Sequence, residues 1–392
     1  MYLDDLPALR KLYSNALLND VIPFWERHSP DREAGGYFTC LARDGSVFDT
    51  DKFLWLQARQ VWMFSKFYNA LEARPSFLEM AKLGADFLAK HGYDKQGDWY
   101  FSLDRWGNPL VQPYNIFSDC FAAMAFAEYG RATGEKWATD LALKTFERIQ
   151  LRKDNPKGQY NKLVPGIRPL RSLSLPMITI NLAMELGSAA PGYPVEQVIR
   201  ENLALVMNQF VDRQQKLIFE HISPDASHPD TFDGRLINPG HGIESMWFVM
   251  SAARQLGNAG MIQQAADALE GQMTFGWDEQ YGGFFYFLDS RRKPPQQLEW
   301  DQKLWWVHME ALVATLMGYQ LTGRESLKQW YERVHEYSWK HFPDPQYGEW
   351  YGYLNRRGEV LLPLKGGKWK GCFHVPRGLL MCMWVLDSMM EK

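Results

Sequence analysis

One short motif, repeated six times at a nearly constant step, limits what this chain can fold into. Each copy is a turn, usually carrying one or two glycines, followed by aromatic residues that read as the edge of a β-hairpin. The copies are GGYF at 35–38, GDWYF at 97–101, GQY at 158–160, GGFFYF at 282–287 and GEWYGY at 348–353, with a glycine-free copy, LIFE, at 217–220. Their starts lie 62, 61, 59, 65 and 66 residues apart. A fixed period of this length marks stacked copies of one supersecondary unit, none of which can bury its apolar face alone. Repetition therefore outweighs the roughly two to three domains that a chain of 392 residues would otherwise suggest.

Between the copies, apolar residues recur at helical spacing. Residues 51–71 read as a long aromatic helix carrying Phe53, Trp55, Trp62, Phe64 and Phe67. Residues 76–91 read as an amphipathic one, with Leu78, Ala81, Ala85 and Leu88 on one face and Pro75 at its start. The same alternation gives 114–131 then 135–152, 172–186 then 194–211, 241–256 then 260–275, and 303–321 then 324–341. The last copy is followed by a single helix, 372–390, whose partner is the N-terminal helix at 6–27. Six aromatic-rich inner helices and six amphipathic outer ones, with the chain ends meeting, predict an all-α fold, a closed (α/α)6 barrel with short hairpins in its loops. No Pro/Gly/Ser-rich linker interrupts the pattern, so residues 1–392 read as one domain.

Composition excludes several functions. With 43 Lys+Arg against 46 Asp+Glu and a net charge of −3, the chain lacks the basic balance of a nucleic-acid or anionic-membrane binder. No run approaches the roughly 18 apolar residues that span a bilayer. The start, MYLDDLPALRKLY, has acids where an export signal has a basic segment, which predicts a cytoplasmic protein. Cys40, Cys120, Cys372 and Cys382 show no metal-ligand spacing and read as free thiols. The 16 Trp, 18 Tyr and 23 Phe must fill a large core, line a site, or do both.

Inner helices that run one way gather their N-terminal ends at one mouth. That convergence brings together Arg59, Tyr114, Asn181, His241 with Glu244, Trp306 with Glu310, and His374. In NPGHGIESMW, His241 stands at a helix start and Glu244 follows at i+3 on the same face, either to hold one ring nitrogen and leave the other free or as an ordinary N-terminal carboxylate favoured by the helix dipole. KWKGCFHVPR supplies His374 at a second helix start, with Trp369 five residues before it and Arg377 three after. In KLWWVHMEAL, Trp306 and Glu310 are four apart and share a face, whereas His308 is two from Glu310 and does not. His308 is therefore assigned to packing. Arg59, in WLQARQVW, is a buried cation among aromatics, suited to sugar oxygens or an oxyanion. Trp306, Trp247 and Trp369 offer sugar-stacking faces or core bulk. Tyr114 and Asn181 suit a site role and a hydrogen-bonded core role equally. His28, His91, His228, His335 and His341 read as surface or packing residues, and His221 is left open.

Other chemistries lack their signatures. There is no HExxH and no His/Cys cluster, so no catalytic metal is expected. Neither GxxxxGKS/T, nor a strand–GxGxxG–helix unit, nor GxSxG occurs. Two imidazoles in one pocket suit removal of a proton beside a carbonyl, because their pKa lies near working pH. An open-chain aldose has such a proton at C2. One imidazole on each face would invert that centre, with Arg59 on the enolate oxygen.

Five segments, DTDKFLWLQARQVW, QPYNIFSDCFAAMAF, RLINPGHGIESMWF, PPQQLEWDQKLWWVHMEAL and GEWYGYLNRRGEVLLPLKGGKWKGCFHVPR, resemble the N-acylglucosamine 2-epimerase family, also called renin-binding protein, and most closely its cyanobacterial members. The resemblance spans nearly all of residues 5–390. It implies interconversion of N-acetyl-D-glucosamine and N-acetyl-D-mannosamine, with His241 and His374 as the acid/base pair. Arg59, Tyr114, Asn181, Glu244, Trp306, Glu310 and Trp369 are implied as substrate-binding residues. It also implies a homodimer, and activation by ATP that is not consumed. Nucleotide contact is placed in DNPKGQYNK at 154–162, through Lys157, Gly158 and Lys162, a stretch that also reads as a solvated loop. The rival readings are an epimerase or aldose–ketose isomerase of unmodified sugars, a glycoside hydrolase on the same barrel using Asp119 and Asp301, and a non-catalytic renin-binding protein.

Overall fold

The computed structural model describes residues 3–164 and 166–391. Helix α1 (Leu6–Ala16) begins where the Asp5 carboxylate accepts the Ala8 N–H, with Pro7 in its first turn. A π turn at Leu17–Val21 carries it into α2 (Ile22–His28), so the expected N-terminal helix is continuous but for that bulge. Long helices then alternate: α3 (Leu54–Ala70) and α4 (Pro75–His91), α5 (Phe117–Thr133) and α6 (Lys136–Arg152), α7 (Ser174–Ala189) and α8 (Val195–Leu205). They continue with α9 (Pro239–Gln255) and α10 (Ala259–Gly276), then α11 (Trp305–Thr322) and α12 (Glu325–His341), and end with α13 (His374–Met390).

Burial separates the two rings. In α3 every residue from Leu56 to Phe67 is buried, including Gln57, Arg59, Gln60 and Lys66, whereas α4 buries one stripe formed by Phe77, Met80, Ala81, Gly84, Ala85, Phe87 and Leu88. Inner helices pack in the order α3, α5, α7, α9, α11, α13. The ring closes where Phe373, just ahead of α13, meets Trp62 of α3 edge-on, and where α1 covers α13 from outside. The fold is the (α/α)6 barrel.

Five copies of the repeated motif form the turn expected of them. Antiparallel pairing joins Pro30 to Tyr37, Tyr93 to Trp99, Val211–Asp212 to Leu217–Ile218, Trp277 to Phe284 and Pro343 to Trp350. GQY does not: Gly158–Tyr160 is a 3-10 turn in an exposed loop. Its single aromatic is followed by Asn161 and Lys162, so it has no apolar edge to bury. The turns need left-handed backbone, which Gly36 and Gly283 supply at φ +70° and +72°. In the last copy Glu349 takes that conformation at φ +55°. Its buried carboxylate offsets the strain by accepting from Trp25 Nε1 at 2.6 Å, the Trp350 N–H at 2.9 Å and Lys370 Nζ at 2.8 Å.

Three turns are clasped by one arrangement of charges. Asp31 takes Lys52 at 3.1 Å and Arg105 at 2.9 Å, and Asp278 takes Lys303 at 3.1 Å and Arg356 at 2.9 Å. Asp344 takes Lys365 at 2.9 Å and Arg43 at 2.8 Å. Each arginine comes from the next repeat, and Arg43 belongs to the first, so the last clasp ties the end of the ring to its beginning. Burial opposes ionisation of Asp31, but hydrogen bonds from Arg105, the Ala34 N–H and Lys52 outweigh it and hold the group at about 2 rather than 3.8. The unfolded chain therefore binds the proton first on acidification. Stability contributed by Asp31 is present above pH ~4 and is lost as pH falls toward ~2. Thermal melts across this range should show the loss, and Asp31→Asn should flatten it.

Candidate active site

Arg59, Glu244 and Glu310 are each the sixth residue of their helices, α3, α9 and α11, which sets them at one depth below the mouth. His241 is the third residue of α9, Trp306 the second of α11 and His374 the first of α13. Asn238 caps α9, its side chain accepting the His241 N–H at 3.2 Å, and so fixes where that imidazole leaves the helix.

Both imidazoles lie against one indole. Ring centroids are 5.4 Å apart for His241 and Trp306, and 5.6 Å for Trp306 and His374. Each ring gives Nδ1 to a carboxylate, His241 to Glu220 at 2.9 Å and His374 to Glu310 at 2.7 Å. An ionised carboxylate only accepts, so Nδ1 carries the hydrogen and Nε2 of each ring is left for a substrate. Glu310 is fully buried and also accepts from Arg377 Nη2 at 2.6 Å and Trp247 Nε1 at 2.7 Å. The same Arg377 nitrogen donates to Glu244 at 2.6 Å.

Arg59 is buried beside this charge network but, among the described residues, makes no ion pair with it. Its guanidinium lies 4.0 Å from the Phe121 ring, and 4.5 Å from Trp55 and from Phe373. Its Nε is buried without a partner. Burial pulls its pKa down to about 9, with Glu244 opposing and Arg377 adding to the fall. The two histidines shift in opposite directions. Burial works against the charged form of His241, but Glu220 outweighs it and the net shift is upward. His374 is pushed well down by burial together with Arg59 and Arg377.

Several expectations are corrected. Glu244 does not hold His241: it is turned to Arg377, and the carboxylate on the ring is Glu220, from the glycine-free repeat copy. Tyr114 is not in an inner helix but in the loop before α5, with its ring 5.0 Å from Phe101. Of its two readings Trp247 takes the core one, buried and donating to Glu310. Asn181 lies in the barrel interior and donates to the Met124 sulfur at 3.5 Å. Trp369 stands at the rim, 54% exposed and edge-on to Trp55. His308 is packed as assigned, its Nδ1 on the Leu304 carbonyl at 2.7 Å and its Nε2 accepting the Phe284 N–H at 3.0 Å.

Of the two hydrolase candidates, Asp301 lies in the turn before α11, beside the Arg356 and Lys303 charges. Asp119 is buried on Arg152 at 2.9 Å and the Trp99 N–H at 3.4 Å, away from the imidazoles' partners. Glu244, Glu310 and His374 bring ligand atoms within 4.8 Å of one another, as a metal would require, but the Arg377 guanidinium already sits on both carboxylates. Lys157, Gly158 and Lys162 are exposed on the loop that holds Gly158–Tyr160, which is tied down by Tyr160 Oη donating to Gln112 at 3.1 Å. Among the described residues, no helix is long and apolar enough to cross a membrane.

Residues 36–375 match the sequence model of the N-acylglucosamine 2-epimerase family. The chain is 40% identical to the N-acylglucosamine 2-epimerase of Bos taurus over 96% of its own length and 90% of that protein. It is 37% identical to the Homo sapiens protein of the same name, with 96% and 90% covered. Among solved structures, the cellobiose 2-epimerase of Bacillus thermoamylovorans superposes with a TM-score of 0.84 at 22% identity, covering 96% of this chain and 99% of that one. That identity is low enough for the likeness to speak for the barrel alone.

Proposed function

The chain belongs to the N-acylglucosamine 2-epimerase family, and on that footing we propose that it interconverts N-acetyl-D-glucosamine and N-acetyl-D-mannosamine. In this reading His241 and His374 work on opposite faces of C2 of the open-chain sugar. One Nε2 removes the C2 proton, and the bonding electrons move into the C1 carbonyl to give an enolate. Arg59, a buried cation with no ion pair among the described residues, stabilises the enolate oxygen. The other imidazole delivers a proton to the opposite face, so C2 is inverted with no net gain or loss of atoms.

One observation carries the reading: two Nδ1-anchored imidazoles flank a single indole, leaving both Nε2 atoms for one substrate. Trp306 then packs against the carbon being inverted, while Trp369 and Tyr114 border the mouth. The reading carries with it a cytoplasmic homodimer activated by ATP that is not consumed, the nucleotide being met by Lys157, Gly158 and Lys162. Incubation with N-acetyl-D-mannosamine in D₂O, with and without ATP, tests it by NMR. N-acetyl-D-glucosamine carrying deuterium at C2 is expected, formed faster with ATP. A ketose product, or no change in the free amino sugar, would turn the assignment toward isomerisation or away from catalysis.

A further inference from the structure

The two imidazoles are not held alike. Glu310, which takes His374, is already neutralised by Arg377 at 2.6 Å and further engaged by Trp247. Glu220, which takes His241, meets no Lys or Arg among the described residues. Its second oxygen accepts the Ser174 hydroxyl at 3.0 Å, and no other donor among the described residues. The backbone around it is fixed on both sides: the Glu220 N–H donates to the Leu236 carbonyl at 3.1 Å, and its own carbonyl accepts the Leu173 N–H at 2.9 Å. Glu220 is thus a buried, rigidly placed anion, 7% exposed, whose one titratable hydrogen-bond partner is an imidazole.

The wider charges point the same way. His241 faces Glu220 from the hairpin loop, Glu244 from its own helix and Arg59 from α3. His374 faces Glu310, whose oxygen it shares with Arg377, then Arg59 and Arg377 themselves, with Glu244 and His241 beyond them. His221 and Tyr286 are the other titratable groups turned toward Glu220. At His241 two carboxylates face one guanidinium and favour the proton, whereas at His374 two guanidiniums offset the carboxylates and disfavour it.

We propose that Glu220 is the positioning residue for His241 and keeps the mobile proton of the resting pair on that ring, leaving His374 neutral. The proposal rests on the two-histidine reading above. At rest, His374 is then the ring that takes the C2 proton and His241 the ring that gives one. After inversion the proton has changed rings, and exchange with solvent must restore the resting arrangement before the next turnover. The reverse reaction uses the other arrangement of the same number of protons, so both directions share one pH profile.

The test is kcat/KM against pH in both directions for the wild type, Glu220→Gln and Glu220→Asp. The alkaline limb, which reports loss of the His241 proton, is expected to fall by about one pH unit or more in the glutamine variant. The acid limb stays, and the aspartate variant moves the alkaline limb part of the way back. A merely structural role would lower the rate at every pH with both limbs fixed, and that result overturns the proposal. Imidazole ¹⁵N titration of the wild type, without sugar, decides it independently of substrate and of how well the variants fold. His241 should titrate above His374 with hydrogen retained on Nδ1; the reverse order sinks the idea. A wild type that leaves the amino sugar unchanged, yet titrates in the expected order, would count against the proposed substrate and not against the role of Glu220.

Discussion

His374→Asn and His241→Asn are each expected to lower the rate of interconversion by about 10²–10⁴-fold, the usual contribution of a positioned proton-transfer group. The folded barrel should survive both changes. Glu310 keeps Arg377 and Trp247 when His374 is lost, and Glu220 keeps Ser174 when His241 is lost. What distinguishes the variants is the reaction each retains. With His241 gone, His374 can still remove the C2 proton from the epimer that presents it to that face, and can return only to the same face. That epimer should exchange its C2 hydrogen with D₂O without inverting. With His374 gone, the other epimer should do so. NMR of each sugar separately would read the pattern, and exchange of the same epimer in both variants would exclude the opposed placement of the two rings.

Arg59→Met is expected to lower kcat/KM by about 10²–10³-fold, or ~2.7–4 kcal/mol of transition-state stabilisation, while leaving the melting temperature unchanged or higher. The reason lies in how the residue is buried. Arg59 is 9% exposed, has no ion pair among the described residues, and leaves its Nε unsatisfied. Such a cation costs the folded protein desolvation that is only partly offset by the Phe121, Trp55 and Phe373 faces. Methionine fills comparable volume, removes the buried charge and makes sulfur–aromatic contacts with the same rings. Arg59→Lys keeps the charge but not the planar fork, and is expected to recover part of the activity at most. A melting temperature that drops by several degrees in Arg59→Met would mean that the guanidinium is a structural element, and that some other group stabilises the enolate.

The architecture was readable because repetition multiplies weak signals. Any one Gly–aromatic turn is ambiguous, but six at a common step, with helical spacing between them, leave few ways to bury the apolar faces. The copy that misled, GQY, is also the one without an aromatic edge. Counted from the residue that pairs across each turn, two positions further on, the other copies place Thr39, Phe101, Tyr286 and Gly352 where the fourth places Glu220. A lone carboxylate in that otherwise uncharged register was the available sign of the His241 partner. The i+3 spacing of Glu244 was a stronger local signal, and it pointed to the wrong nitrogen. The clasp acids carried a sign as well: Asp31, Asp278 and Asp344 each stand four residues before the first glycine of their turn.

Period and helical spacing by themselves determined the double ring of helices, and hence which helix starts share a mouth; residue types at those starts determined which side chains converge there. Those properties follow from backbone geometry and from the need to bury apolar faces, both of which act along the chain. Which acid serves which imidazole was decided only in three dimensions. His241 and Glu220 are 21 residues apart and His374 and Glu310 are 64 apart, on different elements in each case. Pairing of that kind depends on side-chain direction across a packed ring, where a guanidinium can claim the nearer carboxylate first, and no spacing along one helix encodes that outcome.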